Sequence, residues 1–267
     1  GYQKGDLIIV AARPSIGKTA QMVNDIIAGQ VFAKKEEIQG SAAMVFSLEM
    51  KNIKIAERAA CSISNLDGRN VKSGFMTESD WTRWNHSVET IKGLNIFIED
   101  SSGTTLQKIR REVKKAIKKF PNMTVYIDYL QLVDCGNKQI NFIPEKNSKA
   151  VSRGLKKIAQ DFNIPIIAIS AVGRDVEKRQ DKRPMLSDLR ESGAIESDAD
   201  LVIFLYRDDY YNRDSTVKNI IELIVAKARE SVTGIVEMLY IRSKSKFINL
   251  ERKEEESGGE QKASQCF

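Results

Sequence analysis

Short runs of apolar residues alternate along this chain with longer stretches in which apolar residues recur every three or four positions. The short runs are typical of buried β-strands, and the longer stretches are typical of helices that pack on a sheet. Six runs are predicted to be strands: residues 7–10, 43–46, 95–98, 124–127, 164–169 and 201–206. Strands that alternate with helices predict an α/β fold with a mainly parallel sheet and helices on both faces.

Helical spacing is clearest in three stretches. Their apolar positions are Val23, Ile26, Ile27 and Val31; then Leu106, Ile109, Val113 and Ile117; then Val151, Leu155, Ile158 and Phe162. Thr104 is predicted to cap the start of the second helix, because a threonine hydroxyl accepts from the first free backbone amides. Residues 138–149, with Pro144 and mixed polarity, are predicted to be a loop.

The pattern changes towards the end of the chain. Residues 219–228 and 234–241 are rich in β-branched residues and are separated by a turn that contains glycine, so they predict an antiparallel hairpin at the sheet edge. Residues 251–267 contain almost no apolar side chains, and we expect a disordered tail there. The predicted organisation is one domain over residues 1–250 followed by that tail.

A phosphate-binding loop is the most specific motif in the sequence. The run from Ala11 to Thr19 reads AARPSIGKT and stands between a predicted strand and a predicted helix. Successive backbone amides of such a loop surround a phosphate, and the following helix directs its positive end towards it. We expect nucleotide contacts from Arg13, Pro14, Ser15, Ile16, Gly17, Lys18, Thr19 and Ala20.

Within this loop, Lys18 is expected to reach the outer phosphates and the Thr19 hydroxyl to bind Mg²⁺. The motif normally begins with glycine, and here that position is Ala12. Alanine has less backbone freedom than glycine, so the loop is expected to begin with an ordinary backbone conformation. A structural turn without ligand is the alternative interpretation.

Two carboxylates are candidates for the chemistry of a bound nucleotide. Asp128 closes the predicted strand that contains Val125 and Ile127, which is the usual place for a metal-associated acid. Glu49 follows the strand that comes after the loop, and we expect that strand to lie beside the loop strand, with Glu49 acting on the attacking water. The alternative for Glu49 is a solvated residue that caps the next helix.

Composition excludes several classes of site. His86 is the single histidine among 267 residues, which excludes a histidine-based triad or a metal site with several histidines. Cys61, Cys135 and Cys266 are scattered and lack metal-binding spacing, a usage that fits a reducing, cytoplasmic environment. No apolar run approaches the roughly 20 residues that cross a bilayer, so no membrane partner is expected.

Basic residues are in excess, with a formal net charge of +6. An anionic partner such as nucleic acid would explain this excess, and a solvated basic face would explain it equally well. One group of basic residues lies at 173–183 and includes Arg174, and a second segment follows at 189–193. Such loops can bind a phosphodiester backbone, but they contain no aromatic residues, so base stacking is not expected.

Lys227 and Arg229 lie at the end of one hairpin strand, and strand alternation directs them to the same side. Far from the phosphate loop in sequence, they fit cations inserted into the nucleotide site of a neighbouring subunit. A charged edge strand that resists aggregation is the alternative, and the residues alone do not separate the two.

Together these motifs resemble the C-terminal, RecA-like motor domain of the DnaB-like replicative helicases of bacteria and phages. The resemblance extends from Gly1 to about Arg252. The segments that carry it are DLIIVAARPS at 6–15, SLEM at 47–50, IDYLQL at 127–132, KRPMLSDLRESG at 182–193 and RDDYY at 207–211.

The resemblance implies an ATP-driven homohexameric ring that moves along single-stranded DNA and separates the strands, with ATP and Mg²⁺ as cofactors. Primase and a helicase loader are the further partners that it suggests. The family's N-terminal domain is not part of this sequence, and we therefore expect the chain to be a fragment.

Roles for individual residues follow from the resemblance by position. It implies that Lys18 contacts phosphate, that Thr19 and Asp128 serve Mg²⁺, and that Glu49 activates water. It further implies that Lys227 and Arg229 act in trans as piston and finger. Arg190, Glu191 and Gly193 match the DNA-binding loop, Arg174 is assigned to the same surface, and Arg58 matches a basic position near the nucleotide.

One position departs from the family pattern. The family usually has glutamine after serine at a strand end, where it senses the γ-phosphate, and this chain has Ser170 followed by Ala171. Alanine cannot make that hydrogen bond. We expect altered coupling between ATP and DNA, or a substitute such as Arg174.

Three other interpretations remain open. A RecA-type recombinase would form helical filaments and pair homologous strands. A nucleotide-switched scaffold that binds DNA would need no catalytic acid. A fragment that binds ATP but associates poorly would be nearly inactive alone.

Overall fold

Strand β1 (Leu7–Ala12) lies in the middle of the sheet, and all six of its side chains are buried. The computed structural model describes residues 2–141, 143–189 and 192–250. In it, β1 pairs in parallel with β5 (Ile166–Ala171) on one side and with β6 (Leu201–Tyr206) on the other. A continuous apolar run is what a parallel strand covered on both faces requires.

The remaining strands extend this sheet in both directions. They are β2 (Ser41–Ser47), β3 (Ile96–Glu99), β4 (Asn122–Asp128), β7 (Ile220–Ala228), β8 (Gly234–Ile241) and β9 (Lys246–Asn249). The order is β3-β2-β4-β5-β1-β6-β7-β8-β9, parallel from β3 to β6 and antiparallel from β6 to β9. The six predicted strands and the edge hairpin are confirmed, whereas β9 was not predicted.

Helices cover both faces of the sheet. They are α1 (Lys18–Lys35), α2 (Asn52–Ser64), α3 (Gly68–Ser73), α4 (Glu78–Lys92), α5 (Leu106–Ala116), α6 (Lys138–Asn141), α7 (Pro144–Phe162), α8 (Ser192–Asp198) and α9 (Asp208–Tyr211). Leu7 and Ile9 join a core that contains residues of α5 and α7, and Ile8 and Val10 join a second core with α1 and α2. Alternation along the strand thus divides the apolar side chains between two layers.

The predicted cap of α5 is wrong by one residue. Thr105 is the capping residue, and its hydroxyl accepts from the amide of Lys108. Thr104 is buried, and its hydroxyl donates to the carbonyl of Ser101. An N-cap hydroxyl accepts from the amide two or three residues later, so a helix that begins at Leu106 selects the second threonine.

The predicted loop at 138–149 is also wrong, because α6 occupies part of it and α7 begins at Pro144. Proline lacks an amide hydrogen, and the first turn of a helix is where that hydrogen has no partner. Pro144 therefore marks a helix start rather than a loop. The predicted tail at 251–267 lies outside the described residues.

The expected neighbour of β1 is wrong as well. Both edges of β1 are occupied by β5 and β6, and β2 lies on the far side of β4. Strand β2 nevertheless reaches the same end of the sheet, since it pairs with β4 up to Ser47 and Asp128. The carboxyl ends of β1, β4 and β2 therefore lie along one edge, where ligands of open α/β sheets bind.

Candidate functional site

A cleft of about 1210 Å³ opens at the carboxyl edge of the sheet. The loop between β1 and α1 forms one wall, and the ends of β4 and β5 form the floor. Residues of α2 and the segment after β8 complete it, so the cleft draws on parts of the chain that are far apart in sequence.

The loop has the backbone that a phosphate cradle needs. Ala12 is still part of the extended strand, so the loop begins as expected for alanine. Gly17 has φ 134°, a conformation that side chains disfavour, and a Cβ there would lie 3.1 Å from the Tyr240 ring. Helix α1 starts at Lys18, and its positive end faces the cleft.

Lys18 is folded back onto the loop. Its Nζ donates to the carbonyls of Ala12 at 2.9 Å and Arg13 at 3.1 Å. Burial lowers the pKa of Lys18 to about 8, although the nearby carboxylates of Asp128 and Glu49 favour its charged form. An anion in the cleft would favour the charged form further.

Thr19 and Asp128 contact each other directly across the floor of the cleft. The Thr19 hydroxyl donates to Asp128 Oδ2 at 2.8 Å, and Asp128 is 1% exposed. Burial raises the pKa of Asp128, the Thr19 hydrogen bond lowers it, and the charge of Glu49 raises it. A hydroxyl and a carboxylate so placed offer the oxygen ligands that Mg²⁺ prefers.

Glu49 lies at the mouth of the same cleft and is exposed. The Leu48 amide donates to the Asp128 carbonyl at 2.8 Å, and the Ser47 hydroxyl donates to the Met50 carbonyl at 2.6 Å. These contacts fix the segment that carries Glu49 to the end of β4. The structure thus brings Glu49 to Lys18 and Asp128 although β2 is not the neighbour of β1.

The other residues predicted to contact nucleotide fall into two groups, those that line the cleft and one that is buried in the core. Cleft-lining residues among them are Arg13, Pro14, Ser15, Ala20 and Arg58, whereas the Ile16 side chain is buried in the core. The Arg13 guanidinium donates to Glu177 at 2.7 Å and to the Val172 carbonyl at 3.1 Å. That arginine therefore ties the loop to the segment that follows β5.

Ala171 lies in the cleft wall at the end of β5, and Gln131 lies opposite it on the segment after β4. Gln131 Nε2 donates to the Ser170 hydroxyl at 2.9 Å, while its buried Oε1 has no partner among the described residues. Gln131 therefore contacts Ser170, the residue that precedes Ala171, the position at which the family usually has glutamine. The sequence analysis did not identify it, because its proximity depends on the pairing of β4 with β5.

The basic residues predicted to contact DNA are in different environments. Lys178 is paired with Asp175, Arg179 with Asp188 and Arg183 with Glu222, at 2.6–2.7 Å. Arg174 is exposed in the cleft wall and pairs with no acid among the described residues. Arg190 and Glu191 lie outside the described residues, and Gly193 is exposed in α8.

Lys227 and Arg229 do not line the cleft of their own chain. Lys227 Nζ donates to the Glu196 carbonyl at 2.5 Å, and Arg229 donates to the Ser197 carbonyl at 2.8 Å. Both side chains therefore reach the last turn of α8, on one side of the strand as alternation predicts.

Sequence reasoning missed the contribution of the last strands to the cleft. Tyr240, Arg242, Ser243 and Ser245 line it. Asn24 of α1 donates to the Ser245 carbonyl at 2.6 Å and accepts from the Phe247 amide at 3.2 Å. In the sequence, the sole feature connected with this contribution is the glycine at position 17, because the absence of a side chain there leaves room for the Tyr240 ring.

Comparisons with known proteins agree on one family. A sequence model of the DnaB-like helicase C terminal domain matches residues 1–249. The replicative DNA helicase DnaC of Bacillus subtilis is 42% identical over 258 residues, and the replicative DNA helicase DnaB of Geobacillus stearothermophilus is 42% identical over 257. These alignments cover 97% and 96% of this chain and 55% of each relative, so the chain spans about half of their length.

Two solved structures share the fold. One is described as a DnaB-like replicative helicase and its interactions with primase, with a TM-score of 0.87 and 36% identity over 94% of this chain and 59% of that one. The other is the ATPase domain of G40P, with a TM-score of 0.85 and 36% identity over 94% of this chain and 87% of that one. The predicted fold and the resemblance drawn from the motifs are confirmed.

Proposed function

Because the chain belongs to the DnaB-like helicase C-terminal domain family, we propose that residues 1–250 form the ATP-hydrolysing motor domain of a replicative DNA helicase. The observation that carries the proposal is the meeting of Lys18, Thr19, Asp128 and Glu49 in one cleft at the carboxyl edge of the sheet. Phosphate-binding, metal-binding and water-activating groups are thereby within reach of one nucleotide.

Thr19 and Asp128 are the residues that would hold Mg²⁺. Within the described residues, no three or more histidine, cysteine or acidic side chains are grouped so that they could hold a metal ion by themselves. A single hydroxyl and carboxylate suit Mg²⁺, which keeps several waters and shares its remaining positions with phosphate oxygens. When bound, the cation supplies neutralisation of phosphate charge.

The chain's own residues have separate tasks in hydrolysis. The amides at the start of α1 and the Lys18 ammonium bind the phosphates and stabilise negative charge on them. Glu49, exposed at the cleft mouth, accepts a proton from the attacking water and orients it towards the terminal phosphorus. Arg58, half-buried in the cleft wall, adds positive charge near the nucleotide.

Lys227 and Arg229 act on the nucleotide of an adjoining copy. They lie outside the cleft of their own chain, and the Arg229 side chain is half-exposed. A guanidinium that reaches a transferring phosphoryl group from a neighbour is worth on the order of 10³–10⁵ in rate. Catalysis therefore requires association, and a homohexameric ring is the assembly that we propose.

Single-stranded DNA is the proposed polymeric substrate. Arg174 is proposed to contact its backbone because it is exposed in the cleft wall, and Arg190, Glu191 and Gly193 because they match the DNA-binding loop of the family. Hydrolysis would change the packing of neighbouring copies and move these segments along the strand. Primase and a helicase loader are proposed partners, and the cytoplasm is the proposed location.

None of the helices in the described part of the chain has both the length and the apolar character needed to cross a membrane.

Glu49 provides the direct test. We expect Glu49→Gln to abolish steady-state ATP turnover with Mg²⁺ while retaining nucleotide binding, because the amide cannot accept the proton. Glu89→Gln is the matched control, since Glu89 is exposed on α4 and pairs only with Lys92 among the described residues. Unchanged turnover in Glu49→Gln would favour the nucleotide-switched scaffold instead.

A further inference from the structure

Asp200 is a buried carboxylate at the junction of α8 and β6. It is 6% exposed, and its Oδ2 accepts from the Leu7 amide at 2.8 Å and from Lys156 Nζ at 2.5 Å. Leu7 is the first residue of β1, and Lys156 belongs to α7. One oxygen of this carboxylate is therefore committed to the interior of the domain.

The other oxygen faces Arg229. Asp200 Oδ1 lies 3.2 Å from Arg229 Nη1, and the Arg229 amide donates to the Asp200 carbonyl at 3.0 Å. Arg229 Nη2 donates to the Ser197 carbonyl at 2.8 Å. Backbone and side chain of Arg229 are thus both fixed to the turn between α8 and β6.

These contacts hold one edge of the guanidinium and leave the rest accessible. The Arg229 side chain is 50% exposed, whereas the Asp200 side chain is 8% exposed. A guanidinium has five N–H donors in a rigid plane, so it can keep the Asp200 contact and still donate to a second anion.

We propose that Asp200 is the positioning residue for Arg229: it sets the direction in which the guanidinium projects towards the nucleotide of an adjoining copy. This inference rests on the proposed trans-acting role of Arg229. It assigns a task to a buried acid that does not line the cleft of its own chain. Lys227 is held beside it through the Glu196 carbonyl, so one turn organises both cations.

Steady-state ATP turnover of the associated full chain is the first measurement. Asp200→Asn keeps an acceptor for the Leu7 amide but loses the charge that holds Arg229. We expect kcat to fall by about 10- to 100-fold, with KM changed less than about threefold, since misplacement of a catalytic group has effects of that size. Lys156→Gln is the matched control, because it removes the other cation of Asp200 and leaves the Arg229 contact; it should keep kcat within about threefold.

A double-mutant cycle separates positioning from general damage to the fold. If Asp200 acts through Arg229, adding Asp200→Asn to Arg229→Ala should lower kcat no further. An equal loss in both backgrounds would overturn the inference. Should Asp200→Asn fail to fold, Asp200→Glu keeps the charge and displaces the guanidinium, and full kcat in that folded variant would overturn the inference equally.

Mixing of subunits tests the action in trans. Asp200→Asn copies have an intact cleft, and Glu49→Gln copies have an intact Arg229. Mixed assemblies should therefore exceed the weighted mean turnover of the two variants measured separately. No recovery would place the Asp200 effect within its own cleft, through Leu7 and β1, and would overturn the inference.

Turnover of Arg229→Ala and of Asp200→Asn, measured side by side, separates the trans-acting role of Arg229 from the positioning role of Asp200. Undiminished turnover in Arg229→Ala, under conditions in which copies associate, overturns the trans-acting site and this inference with it. A loss in Arg229→Ala combined with full kcat in Asp200→Asn overturns the positioning role alone.

Discussion

The hydroxyl of Thr19 donates to the carboxylate of Asp128 at 2.8 Å, and this contact joins the first turn of α1 to the end of β4. The two residues are 109 positions apart, and β5 lies between their strands. Because the hydroxyl and the carboxylate already touch, the proposed Mg²⁺ site would need little rearrangement to receive the cation.

Loss of the Thr19 hydroxyl should therefore weaken binding in a cation-dependent way. We expect Thr19→Ala to lower ATP affinity by roughly 10- to 100-fold in Mg²⁺, the size of one lost charge-assisted contact, and to change it little in excess chelator. Thr19→Ser keeps the hydroxyl and is the control. Titration of a fluorescent ATP analogue provides the measurement, and an equal loss in chelator would show that Thr19 binds phosphate instead.

Nucleotide affinity should depend on pH through Lys18. Its pKa is lowered to about 8 by burial, and phosphate prefers the charged lysine. Above pH 8 the proton must be taken up on binding, so affinity should fall by up to about tenfold per pH unit. Lys18→Arg stays charged and should bind without this dependence. A wild-type affinity that is constant from pH 7.5 to 9.5 would contradict the prediction.

The stability of the nucleotide-free protein should also depend on pH through Lys18, but it should rise with pH where nucleotide affinity falls. The ordinary pKa of lysine, 10.5, applies to the unfolded chain, which therefore binds the proton more tightly than the folded chain between pH 8 and 10.5. The contribution of Lys18 to the free energy of unfolding rises with pH across this window. Denaturant unfolding of wild type and Lys18→Met at pH 7.5 and 9.5 measures it: the advantage of Lys18→Met should shrink at the higher pH.

Asp25 provides a second pH dependence, on the face of the sheet covered by α1. Burial raises its pKa to about 6, while hydrogen bonds from Tyr126, at 3.0 Å, and Tyr2 lower it. The folded chain then holds the proton more tightly, so the free energy of unfolding should fall by about 1–3 kcal/mol from pH 4 to 6 through this group. Asp25→Asn should remove that component in urea titrations.

Tyr126→Phe is the matched variant for Asp25. It removes a hydrogen bond that favours the carboxylate, so the midpoint of the same dependence should move above pH 6. A downward shift would show that another group titrates.

Substitution of an arginine without an acidic partner should affect DNA affinity more than substitution of an arginine held in an ion pair. We expect Arg174→Gln to weaken binding of single-stranded DNA and to lower the slope of log affinity against log salt by about one, because one phosphate contact is lost. Arg179→Gln should leave the slope unchanged, since Arg179 is bound to Asp188 at 2.7 Å. Fluorescence anisotropy over a range of salt concentrations tests both. A smaller slope in Arg179→Gln would mean that the ion pair opens on DNA.

Local pattern predicts the strands, the connection between β1 and α1 and the place of Asp128 at the end of β4, because each depends on neighbours in sequence. The position of β2 was not predictable in the same way, since periodicity says nothing about which strands pair. Gln131 reaches the cleft through the pairing of β4 with β5, and Tyr240 reaches it through the pairing of β8 with β7. The ion pair of Arg183 with Glu222 likewise joins segments 39 residues apart, and composition alone makes such an arginine look free.

The ladder between β7 and β8 has one further consequence. Its pairs run from Ile220 and Leu239 to Val225 and Gly234. Just beyond the first pair Tyr240 lies against the phosphate loop, and two residues beyond the last pair Lys227 contacts α8. Lys227 lies seven residue steps after Ile220 along β7, a span of roughly 23 Å. In the proposed ring, a single ribbon would therefore border the nucleotide cleft of its own copy at Tyr240 and carry Lys227 towards that of the next copy. Loss of a phosphate at one end could then be transmitted mechanically to the other without any change in the central parallel strands.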